Sequence, residues 1–135
     1  MRFITGIAFF FLFTTQSLYS QDSIKPAKKK PVSRVQYGTA SFYSNKFNGR
    51  KTANGEIFSQ KKLTGAHNSL PLGTYVRVTN LRNKRSVVVK INDRLHARNR
   101  RLIDLTKAAA LQLGFVKSGL TRVKLEILGK KPQQG

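Results

Sequence analysis

The sequence predicts a mainly β fold, a small closed or nearly closed barrel carrying one short helix. Three observations predict it. Segments around residues 75–80, 86–92 and 121–127 alternate apolar and polar residues with the period of two that a half-buried strand requires. All are short and separated by polar turns. Only one stretch, near residue 107, has both a helix start and a helix stop. Several short strands with one small helix bury their apolar faces best by closing on themselves.

The elements follow in order. Val35 to Tyr43 reads as a first strand, weakened by Gly38, and Leu63 to His67 as a short one. Tyr75–Asn80 places Val76 and Val78 on one face. Arg82–Arg85 is a polar turn, and Ser86–Asn92 returns with Val87, Val89 and Ile91 on one face, completing a hairpin. Thr106 is a good N-cap for Lys107–Leu113, which Gly114 ends. That helix is barely two turns, so packing must hold it. Thr121 to Ile127 turns Val123, Leu125 and Ile127 inward.

Outside the barrel the chain is of a different kind. Residues 1–20 carry one charge, Arg2, then an apolar run rich in Phe, then polar residues and a small Ser20. This is the pattern of a cleaved secretory signal peptide, so export to the periplasm or cell envelope, or beyond it, is expected. The rival reading is an uncleaved anchor, but the run is short for a bilayer span. No Cys follows it, which speaks against a lipid anchor, and no stable membrane anchor is expected after processing. Residues 21–35 read as a basic linker rich in Lys and Pro, 36–129 as the folded domain, and 130–135 as a flexible tail. A monomer is expected.

Composition excludes several function classes. The 135 residues contain no Cys, so disulfide scaffolds and thiolate zinc sites are ruled out. Lys and Arg number 26 against 5 Asp and Glu, a formal charge of +21 that becomes +20 without Arg2. Such a charge concentrates a protein on anionic envelope polymers and is screened by salt. It is also a generic nucleic-acid footprint, but no motif that reads RNA or DNA accompanies it, and no nucleic-acid partner is expected. There is no phosphate loop, nucleophile elbow or dinucleotide fingerprint, and neither a cofactor nor a metal is expected.

Scarce carboxylates narrow the chemistry further. Asp22 lies in the linker and Glu126 on the outward face of the last strand, leaving Glu56, Asp93 and Asp104, with His67 and His96 as the histidines. Asp93 follows Val87, Val89 and Ile91 at the same parity, so it extends an apolar face at a strand end, a position suited to a general acid. A salt bridge to a nearby Arg is the competing reading. Glu56 sits beside the Asn54-Gly55 turn and reads equally as an exposed turn residue. His67 could polarise a substrate oxygen, orient a carboxylate, or bond a loop carbonyl. Asp104 lies just before the helix, where a carboxylate is stabilised in any case. His96, in the Arg-rich loop 94–101, reads as exposed.

Seven motifs occur in order: Tyr37–Tyr43, Phe47–Glu56, Leu63–His67, Leu70–Thr74, Val76–Asn80, Ile91–Arg94 and Ile103–Thr106. Together they closely resemble the rare lipoprotein A family of septal lytic transglycosylases, over essentially all of residues 36–129. The resemblance implies a six-stranded double-psi β-barrel with one or two short helices, related in fold to expansins. It implies endolytic cleavage of the β-1,4 bond between N-acetylmuramic acid and N-acetylglucosamine, leaving 1,6-anhydro ends, on glycan strands poor in peptide. It maps the family's proposed active-site residues onto Glu56, His67 and Asp93. Phe42, Tyr43, Asn54, Arg94 and Asp104 are the candidate substrate contacts. A non-catalytic, expansin-like glycan-binding module is the alternative. Two family features have no counterpart here, the lipid-anchoring Cys and the C-terminal docking domain. The loop after Asn92-Asp93-Arg94 also departs from the family, reading Leu95-His96-Ala97-Arg98-Asn99 in place of a Gly-Pro-Phe-like sequence.

Overall fold

The computed structural model describes residues 34–131. The expected signal segment and most of the expected linker fall outside the described residues. Six strands, β1 (Val35–Phe42), β2 (Thr64–Ala66), β3 (Tyr75–Asn80), β4 (Ser86–Asp93), β5 (Ile103–Leu105) and β6 (Thr121–Gly129), close into a barrel in the order β1-β5-β2-β4-β3-β6. This is the double-psi barrel expected. Its two parallel pairs are β1 with β5 and β2 with β4, and the remaining neighbours are antiparallel. One helix, α1 (Lys107–Leu113), packs on it, and a 3-10 turn at Asn45–Phe47 follows β1.

Alternation decides the core. Val76, Val78, Val87, Val89, Ile91, Val123 and Leu125 all point inward, with Ile103 and Leu105 from β5 and Leu113 and Phe115 from the helical side. Each such side chain stabilises the fold by about 1.5–3 kcal/mol. The helix begins and ends as its sequence dictates. The Thr106 hydroxyl accepts from the amide of Ala109, and Gly114 takes the left-handed conformation (φ 75°) that closes α1. Gly38 does not break β1. Its missing side chain makes room for Leu102, whose Cβ lies 2.7 Å from where a Cβ on residue 38 would sit.

Val35 opens β1, where its strand was expected to start, and Arg34, expected in the linker, exchanges hydrogen bonds with Ile127. β5 is a strand of only three residues, inserted between β1 and β2. Within β4, Gly65 pairs with Ile91 while the next residue, Ala66, pairs with Asp93, so Asn92 is an extra, bulged residue. At the other end, Lys130, expected in the tail, reaches back to the Leu72 carbonyl at 2.7 Å.

One buried polar group ties β3, α1 and β6 together. Asn80, 1% exposed, donates to the Leu113 carbonyl at the end of α1 and accepts from the Thr121 hydroxyl and the Arg82 amide. Buried amides of this kind persist only when satisfied.

Candidate active site

A cleft of about 570 Å³ opens where β1, β2, β4 and β5 end. Its walls include Phe42, Tyr43, Asp93, Arg94 and Asp104, five of the eight residues singled out in the sequence. Glu56, His67 and Asn54 do not line it.

Asp93 reaches the cleft through the bulge, not through simple alternation. The extra residue lets Ile91 and Asn92 both turn inward, and Asp93 then falls half-buried at the cleft wall. Each carboxylate oxygen has one donor. The Tyr43 hydroxyl donates to Oδ2 at 2.6 Å and the Ala53 amide to Oδ1 at 2.9 Å. None of the ion pairs among the described residues includes Asp93, so the competing salt-bridge reading is not realised. The adjacent Arg94 spends its guanidinium on the carbonyls of Leu70 (2.7 Å) and His67 (3.3 Å).

Tyr43 is fixed as firmly as the carboxylate it holds. Its ring lies against Phe58 (centroids 4.3 Å apart) and edge-on to Phe47 (5.6 Å). Burial, and then the bond to Asp93, raise its pKa, so the phenol keeps its proton and acts as donor. Phe42 borders the cleft and also packs edge-on against core Phe115 at 5.8 Å.

Asp104 does not serve the helix terminus. Its carboxylate is gripped by Arg101, Nε to Oδ1 at 2.7 Å and Nη2 to Oδ2 at 3.1 Å, while Thr106 caps α1. Asn54 braces a turn: its Oδ1 accepts from the Thr52 hydroxyl and the Glu56 backbone amide, and its own backbone N–H donates to the Asn92 backbone carbonyl.

Glu56 proves to be an ion-paired brace and not a free turn residue. It accepts from Lys90 Nζ at 2.5 Å and from Asn92 Nδ2 at 3.0 Å. Those two bonds hold its pKa down to about 2, from the ordinary 4.5. A carboxyl so acidic carries no proton to share at neutral pH. A stability effect follows. The folded chain keeps Glu56 charged where the unfolded chain has begun to bind a proton. Its stabilisation is therefore present above about 4.5 and lost as the pH falls toward 2. Melting curves of Glu56→Gln should lie below wild type at neutral pH, and the gap should close between those two values. A gap independent of pH would contradict it.

His67 is buried (1% exposed) and is not among the residues that line the cleft. Nδ1 accepts from the amides of Ser69 and Leu70, both at 3.1 Å, which leaves the proton on Nε2, 2.9 Å from Gln36 Oε1. Burial first, and then the Arg94 charge, lower its pKa, so the ring is neutral. Its backbone pins the strand end: the His67 amide donates to the Asp93 carbonyl, and its carbonyl accepts from Leu95. Both ring nitrogens are thus engaged within the protein, Nδ1 by the Ser69 and Leu70 amides and Nε2 by Gln36.

The structure adds cleft residues that the sequence did not single out. Phe47, Arg50, Lys51, His96 and Arg101 line the same space. His96 is exposed, as its Arg-rich loop predicts, and it stands on the cleft rim. Its place in the loop joining Asp93 to β5 was the available signal. Among the described residues no three His, Asp or Glu side chains cluster as metal ligands would.

Comparison with known proteins follows the same lines. Residues 35–125 match the family described as lytic transglycolase. The chain is 53% identical over 91 residues to the endolytic peptidoglycan transglycosylase RlpA of Pasteurella multocida, covering 67% of this chain and 31% of that protein. It is 42% identical over 114 residues to the RlpA of Haemophilus influenzae, covering 84% and 40%. The chain thus spans well under half the length of either relative. Among solved structures, the Streptomyces papain inhibitor superposes with a TM-score of 0.59 at 20% identity, over 74% of this chain and 99% of that one. A mutant Clavibacter michiganensis expansin in complex with cellohexaose gives 0.57 at 18%, over 74% and 53%. At those identities the two structures speak for the barrel alone.

Proposed function

The chain belongs to the lytic transglycolase family, and from that membership we propose that it is an exported endolytic transglycosylase of peptidoglycan glycan strands, with Asp93 as its acid and base. The observation that carries this reading is Asp93 itself, half-buried on the wall of the cleft and aimed by one donor on each oxygen.

One carboxyl group suffices for this chemistry. In its acid form Asp93 gives its proton to the glycosidic oxygen, and the bond from the muramic C1 to that oxygen breaks. The sugar's own 6-hydroxyl oxygen then bonds to C1, and its proton passes to the Asp93 carboxylate, restoring the acid. The products are a free 4-hydroxyl end and a 1,6-anhydro end, with no water consumed. Ordinary glycosidases need a second carboxylate for water or for a covalent intermediate. Asp104 is the other carboxylate at this cleft, and it is occupied by Arg101.

The remaining residues take positioning roles in this reading. Tyr43 aims the Asp93 carboxyl. Phe42 and Phe47 offer apolar surface to sugar faces. Glu56 and His67 hold the two segments that flank Asp93, through Asn92 and the 93–95 backbone. Tyr43→Phe, which removes one short hydrogen bond to a charged group, should lower kcat about 10–100-fold with little change in KM. An unaltered kcat would remove Tyr43 from the site.

The test of the whole reading is product chemistry. Purified protein incubated with peptide-free glycan strands should release fragments whose masses carry 1,6-anhydro ends. Retention on the strands with no such fragments would establish the expansin-like binding module instead. The preference for peptide-poor strands is tested by the same digestion on intact sacculi.

A further inference from the structure

A second surface of the barrel, sharing no residue with the cleft, concentrates charge that the reaction does not use. It is built from the β3–β4 turn and the segment between α1 and β6. Arg82, Lys84, Arg85, Lys117 and Arg122 are all exposed there. None takes part in an ion pair among the described residues. The chain has no Asp or Glu between residues 57 and 92 or between 105 and 125. β4 links this surface to the cleft, from Ser86 beside the turn to Asp93, roughly 23 Å along the strand.

The surface is shaped and rigid. Two adjoining hollows share Arg82 as a wall; one adds Leu120 and Arg122, the other Lys117 and Phe115. Beneath them lies the buried Asn80 with its three hydrogen bonds, and Asn83 makes a second side-chain bond to the same Leu113 carbonyl. Arg85 lies over the Gly114 cap, so close that a side chain at 114 would collide with it. Lys84 has φ 66°, the left-handed conformation that glycine or asparagine adopts at least cost. A lysine kept there presents a charge where the turn alone would favour another residue.

An apolar side chain stands among the cations: Leu120, 52% exposed, sits in one hollow with Arg82 and Arg122. A wholly hydrophilic polyanion would gain nothing from it. A lipid surface offers both phosphate for the guanidiniums and an acyl boundary for the leucine.

We propose that this surface docks the protein on an anionic lipid bilayer, its arginines and lysines on headgroup phosphates and Leu120 at the acyl boundary, leaving the cleft free for glycan. The attachment is peripheral and reversible by salt.

Sedimentation with vesicles tests it, and because vesicles contain no glycan the result is independent of the lytic reading. The protein without residues 1–20, the expected signal, should bind phosphatidylglycerol–phosphatidylcholine vesicles and bind pure phosphatidylcholine far more weakly. Each cation brought to such a surface strengthens binding about fivefold, so Arg82→Ser with Arg122→Ser should weaken it on the order of twentyfold. Leu120→Ser should reduce the part of binding that survives high salt. Lys84→Gly should weaken binding while raising the melting temperature, a combination that a merely structural turn residue would not give. Unchanged vesicle binding in the double variant would overturn the proposal. So would equal affinity for soluble polyphosphate with no effect of Leu120→Ser, which would assign the surface to a polyanion.

Discussion

Asp93→Asn should abolish release of anhydro-ended fragments and leave the barrel folded. The substitution suits the site because it alters chemistry with little change in shape. The amide Oδ1 still accepts from the Ala53 amide. The Tyr43 hydroxyl, free to rotate, can accept a hydrogen bond from the new Nδ2 and turn its own hydrogen toward the open cleft. Solvent in the cleft can accept that hydrogen, so the melting temperature should move little. The amide cannot donate a proton to the leaving oxygen or recover one from the 6-hydroxyl. General acid–base catalysis contributes about 10²–10⁴-fold, and the loss should be of that order. Mass spectrometry of glycan digests reads the product, and thermal melts verify the fold. A variant that still cleaves at the wild-type rate would take Asp93 out of the reaction.

How much of this was legible in the sequence depended on the range of the interactions involved. β3, β4, β6 and α1 were readable because their signals are local: alternation in Tyr75–Asn80, Ser86–Asn92 and Thr121–Ile127, and caps at Thr106 and Gly114. β5 was not, because three residues cannot display a period, and Ile103–Leu105 is a strand only through its neighbours β1 and β2. Gly38 looked like a weakness in β1, since nothing local reveals that Leu102 needs the space.

The site shows the same division. Parity would extend the Val87–Ile91 face to Asp93, but the alternation breaks at the bulged Asn92, and the bulge is what delivers Asp93 to the cleft. The sequence offers Tyr43 only as a candidate substrate contact, because the carboxylate that its hydroxyl holds lies fifty positions away. Glu56 and Lys90 are thirty-four residues apart, so no spacing rule could pair them. The partners of His67 were nearer, at Ser69 and Leu70, yet a ring bonded by two amides resembles any other histidine in a sequence.

Substitutions at His67 should separate a proton carrier from a scaffold. The imidazole satisfies the amides of Ser69 and Leu70 through Nδ1 and meets Gln36 through Nε2, all in a nearly closed space. His67→Ala leaves those groups buried without a partner, at about 1–3 kcal/mol each, and opens a cavity besides. A loss of about 3 kcal/mol or more is expected, at roughly 4–8 °C per kcal/mol for a domain of this size. Activity should fall with it, because the His67 backbone steadies Asp93 and Leu95. His67→Asn is the decisive variant. Its Oδ1 falls close to the position of the ring Nδ1, so the two amides keep their acceptor and only the Gln36 contact is lost. Most of the stability and most of the activity should return. Were the imidazole a proton carrier, asparagine would be as inactive as alanine, however well it folded. A folded, inactive His67→Asn would therefore restore the histidine to the chemistry and place a second titrating group beside Asp93. An active one would leave a single carboxyl group to move the proton both ways.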